Sequence, residues 1–79
     1  MSQFNKYIGS NDPIISNAAE NMSIATVDYQ AGIITKAEYD ELCGDICDSS
    51  TIASQVSDII RIQTIYDAFN TLLKIASLL

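Results

Sequence analysis

The chain has 79 residues, 48% hydrophobic and 18% charged, and a net charge of −6 from four Lys and Arg against ten Asp and Glu. A chain this short is one domain that buries only about 60% of the surface its unfolded form exposes, and its acidity argues against nonspecific attachment to phosphate backbones or anionic membranes. With no histidine and only two cysteines, Cys43 and Cys47, it lacks the ligand set of a closed zinc site.

Residues 1–12 read as an arm. Phe4, Tyr7 and Ile8 fall at helical spacing, and Gly9, Ser10, Asn11 and Asp12 supply turn and cap chemistry. One helical turn is too short to stand alone, so its apolar residues must dock on this domain or on a neighbour. Asp12 followed by Pro13 is a strong helix start, an oxygen cap and then a proline where its missing N–H is harmless. A first helix over 13–31 is expected. Ile14, Ile15, Ala18, Ala19, Met22, Ala25 and Tyr29 share one arc of its wheel, opposite Ser16, Asn17, Glu20, Ser23 and Asp28. So alanine-rich a stripe predicts close approach of an antiparallel helix, with Met22 as core rather than as a cofactor ligand.

Gly32 can take the left-handed conformation that ends a helix, and Thr35 with Glu38 has the spacing of a reciprocal capping box. The result is a tight helical hairpin, with Ile33 expected to contact the preceding helical turn. The second helix should span 35–47, turning Tyr39, Leu42, Cys43 and Ile46 inward. Glu38, Asp40, Glu41, Asp45 and Asp48 then form a solvated face suited to electrostatic steering, since no cleft is evident that would tune paired carboxylates for acid–base work. Cys43 and Cys47 are four apart, which defeats a Cys-x-x-Cys redox motif and leaves buried free thiols as the reading. Any of Asp48, Ser49, Ser50 or Thr51 can cap the next helix.

From Thr51 to Leu79 there is neither glycine nor proline, so one helix over 51–79, about 40 Å long, is expected. Arg61, Gln63, Asp67, Asn70 and Lys74 interrupt it too often for a membrane span. Its wheel has two apolar faces. Ile52, Val56, Ile59 and Ile60 share one side, whereas Ile62, Ile65, Tyr66, Phe69, Leu72, Leu73 and Ala76 point well over 90° away. If the first face covers the hairpin, the second is left for something else. The expected interface is therefore Phe4, Tyr7, Ile62, Ile65, Tyr66, Phe69, Leu72 and Leu73. Two alternatives stay open: a compact three-helix bundle that uses both faces internally, or a helix that bends between Asp58 and Gln63. A two-stranded coiled coil is disfavoured, because Ile52, Ile59, Tyr66 and Leu73 keep a seven-residue beat while Gln55, Ile62, Phe69 and Ala76 are uneven.

The run Gly32-Ile33-Ile34-Thr35-Lys36-Ala37-Glu38-Tyr39, with Leu42, resembles the short helical hairpin of the SHOCT domain, whose core is Gly-x-Ile-Thr-x-x-Glu-Phe, and is similar to hairpins of small bacteriophage proteins. The likeness covers Tyr29 to Cys43, and its internal position differs from the family's usual C-terminal placement. It implies a module for oligomerisation or attachment, with no catalytic residues to carry over.

These readings converge on an all-α protein, a helical hairpin plus one long C-terminal helix in an oligomeric bundle. The expected function is non-enzymatic: a structural or assembly protein that self-associates as a homo-oligomer or docks on a larger complex, with a phage virion as one setting. No cofactor, metal, catalytic residue, nucleic acid or small-molecule substrate is expected. The N-terminus lacks the apolar core of a secretory signal, so synthesis in the cytoplasm is expected. The alternative is an acidic regulator or inhibitor of a host protein, which salt would weaken. Phe69→Asp should dissolve an apolar assembly while leaving helix content.

Overall fold

A computed structural model describes residues 4–79, without the side chain of Thr51; residues 1–3 of the expected arm lie outside the described residues. Among the described residues all regular structure is helical: α1 (Asn5–Ile8), α2 (Pro13–Gln30), α3 (Lys36–Ile46), a 3-10 turn (Ser49–Thr51), α4 (Ile52–Gln55) and α5 (Ile59–Ser77).

Helix boundaries reflect local chemistry. Asp12 accepts from the Ile14 N–H at 3.0 Å, with Pro13 at the first helical position. α2 ends in a Schellman motif: Gly32 has φ +78°, its N–H donates to Tyr29 O, and the Ile33 N–H reaches back to Asp28 O at 2.9 Å. The Ile33 side chain is 70% exposed, contrary to its expected contact, because the matching position on the helix is Asp28; Ile34 is the residue that packs inward. The capping box forms in both directions, Glu38 N–H to Thr35 Oγ1 and Thr35 N–H to Glu38 Oε1.

The hairpin closes through one polar chain and one aromatic pair. Thr26 Oγ1 donates to Met22 O at 2.8 Å, so its contact with the buried Tyr39 hydroxyl, also 2.8 Å, has Tyr39 as donor. Tyr39 stacks on Tyr29 with centroids 4.7 Å apart, and Lys36 Nζ lies over both rings. Ile15, Ala18, Ala19, Met22 and Ala25 are buried, as their wheel predicts.

The unbroken helix over 51–79 is corrected. Residues 56–58 leave the helix, and Asp58 caps α5 by accepting from the Ile60 and Arg61 N–H groups. A straight rod would point Ile52 and Val56 away from the side that carries Ile65, Phe69 and Leu72. The break turns both sets onto the same core. Arg61 then ties the start of α5 to the start of α2, with Nε 2.8 Å from Asp12 Oδ2 and Nη2 3.0 Å from Oδ1. Phe4 is buried and α1 packs along α2, where Ser16 Oγ donates to Ile8 O at 2.6 Å. At the far end Leu79 packs on the core and Leu78 is exposed.

Candidate interaction surface

Of the eight residues expected to form an interface, Phe4, Ile65, Phe69 and Leu72 lie in the chain's own core. Tyr7, Ile62 and Leu73 are half-buried against it. Tyr66 is exposed, and its hydroxyl donates to or accepts from Ser49 Oγ at 3.1 Å. The corrected helix break explains the difference: once α5 is redirected, its main apolar face is covered by α2 and α3 from the same chain.

Other large aliphatic side chains remain outside. Ile59 and Ile60, adjacent in the first turn of α5, are 70% and 74% exposed. Ile24 and Val27 lie on the face of α2 opposite its buried stripe, at 56% and 61%. The signal for the first pair was Asp58, an N-cap residue followed by apolar positions. For the second it was the wheel itself, on which Ile24 sits half a turn from the core arc.

Four of the ten acidic side chains serve helix starts. Asp12, Glu38, Asp48 and Asp58 each accept from a backbone N–H at an N-terminus, and Lys36 pairs with Asp40 one turn on. The Arg61 hydrogen bond holds the Asp12 carboxyl below its ordinary range, against partial desolvation. Hydrogen bonds from Thr35 do the same for Glu38.

Both thiols are buried and unlinked, and Cys47 Sγ lies 3.2 Å from Met22 Sδ. Burial pushes the Cys43 thiol up and the Cys47 thiol up to about 12, the direction opposite to an activated nucleophile. Among the described residues no three His, Cys, Asp or Glu side chains group as metal ligands.

An open groove of about 370 Å³ runs between α1 and α5, with Lys6, Tyr7, Ser10, Thr64, Asp67 and Thr71 around an Ile15 and Ala68 floor. The Thr64 and Thr71 hydroxyls already donate to carbonyls of their own helix, Ile60 O and Asp67 O. Among the described residues no helix is long and apolar enough to cross a membrane. The chain matches no family model, and comparison with curated proteins and with solved structures likewise gave no match.

Proposed function

We propose that this chain is a non-enzymatic helical assembly protein, which acts by self-association rather than by chemistry. The observation that carries the reading is the Ile59–Ile60 pair, left in water beside a core that already encloses Ile52, Ile65, Phe69 and Leu72. Each large aliphatic side chain withdrawn from water on contact contributes about 1.5 to 3 kcal/mol before the costs of association. The placement of the ionisable groups supports the same reading: four of the ten acids cap helices, and the thiols are desolvated. Resemblance of the interhelical turn to SHOCT hairpins also favours an oligomerisation or attachment role.

The test is molar mass by light scattering or sedimentation across protein concentration, at about 0.15 M and about 1 M salt. Apolar self-association persists at 1 M, where screening shortens to about 3 Å. Loss of the oligomer in high salt would favour docking through the acidic face of α3. A monomer at every concentration would remove the self-association reading.

A further inference from the structure

The two helix starts that Arg61 ties together are built alike but secured differently. Asp12 has φ −88° and ψ 117°, Asp58 has φ −77° and ψ 116°, and each accepts from the N–H two residues on. After Asp12 comes Pro13, whose ring forbids backward extension of α2. After Asp58 comes Ile59, which permits it. No glycine or proline lies between Asp45 and Leu79, so the break at residues 56–58 is maintained by packing, the Asp58 cap and the Asp12–Arg61 pair, not by a helix breaker.

Were α4 and α5 to run on as one helix, Ile52, Val56, Ile59 and Ile60 would fall at i, i+4, i+7 and i+8, a single apolar side. As folded, the first two are buried and the last two are in water.

We propose that two copies of this chain dimerise by straightening residues 56–58 and exchanging α5, so that α5 of each copy covers the α2–α3 hairpin of the other. The proposal rests on the self-association proposed for this chain and specifies its mode. A second copy is the occupant because the surface vacated by α5 is already shaped for Ile65, Ala68, Phe69, Leu72 and Ala76, its own buried residues. The exchanged contact is the intramolecular one, and it forms at no loss of fit. Asp12 of each copy pairs with Arg61 of the other. What is new lies at the hinge, where the two straightened segments meet and Ile59 and Ile60 leave water.

The experiment compares wild type, Ile59→Pro and Asp58→Ala by sedimentation over a common concentration range, with thermal melts as a check on folding. Ile59→Pro reproduces the Asp-Pro start of α2 at an exposed site, so the closed monomer keeps its stability. A proline inside each straightened helix weakens the dimer by more than roughly 100-fold. Asp58→Ala removes the cap that holds the closed form, roughly fivefold per hinge and about 25-fold for the pair. Opposite shifts from the two variants are the expected result. A dimer that forms equally well in all three overturns the exchange while leaving self-association intact. Monomers throughout, Asp58→Ala included, overturn both.

Discussion

Cys47 shows how one side chain makes stability depend on pH. Burial raises its folded thiol to about 12, above the unfolded value near 8.5. The neutral form is therefore favoured on folding, so its contribution is fully present below about pH 8.5 and is lost as pH climbs toward 12. Urea midpoints should hold up to pH 8 and fall steadily above pH 9, with a shallower fall in Cys47→Ala. Burial of both cysteines was legible from the absence of any ligand or redox spacing, and Cys43 lies on the expected apolar face. Cys47 lies beyond the last turn of α3, and its contact with Met22 spans 25 residues of sequence, a separation no local pattern encodes.

Among the elements, those fixed by neighbours within a few residues were readable, and the one fixed by distant packing was not. Asp12–Pro13, Gly32 and the Thr35–Glu38 box each satisfy their backbone groups within the same turn, so the start and stop of α2 and the start of α3 are dictated by sequence. Thr35→Ala should cost about 1 kcal/mol in chemical denaturation, and Gly32→Ala about 1 to 2 kcal/mol through its left-handed backbone, with no change in the native circular dichroism spectrum. The break before α5 is of another kind. Local propensity allows helix throughout, and Asp58 is one polar residue among several. What decides the matter is that both apolar faces must reach the same hairpin, a tertiary demand that overrides propensity.

For the whole molecule, that redirection changes what a core substitution means. Phe69 is 4% exposed and lies among Ile65, Leu72 and residues of α2 and α3, so Phe69→Asp should unfold the chain instead of dissolving an assembly of intact subunits. Truncating such a side chain to alanine already costs about 3 to 5 kcal/mol. Typical stability per residue gives a domain of this size only about 4 to 12 kcal/mol in all. Loss of far-ultraviolet helix signal in Phe69→Asp is the expected result; retained helicity would count against a core role for Phe69. Four of the expected interface residues, Phe4, Ile65, Phe69 and Leu72, lie inside the single chain, and for the three on α5 the reason is the helix break. A wheel drawn on a straight rod assigns Ile59 and Ile60 to the inside and Phe69 to the outside, and bending the rod reverses both.

The Tyr29–Tyr39 stack also makes the hairpin visible to light. With no tryptophan in the chain and four tyrosines in all, two of them held nearly parallel at an interplanar angle of 10° are placed to couple their transitions. Near-ultraviolet dichroism should thus carry a contribution from this coupled pair that reports closure of α2 on α3, over the signals of Tyr7 and Tyr66, without attaching a dye.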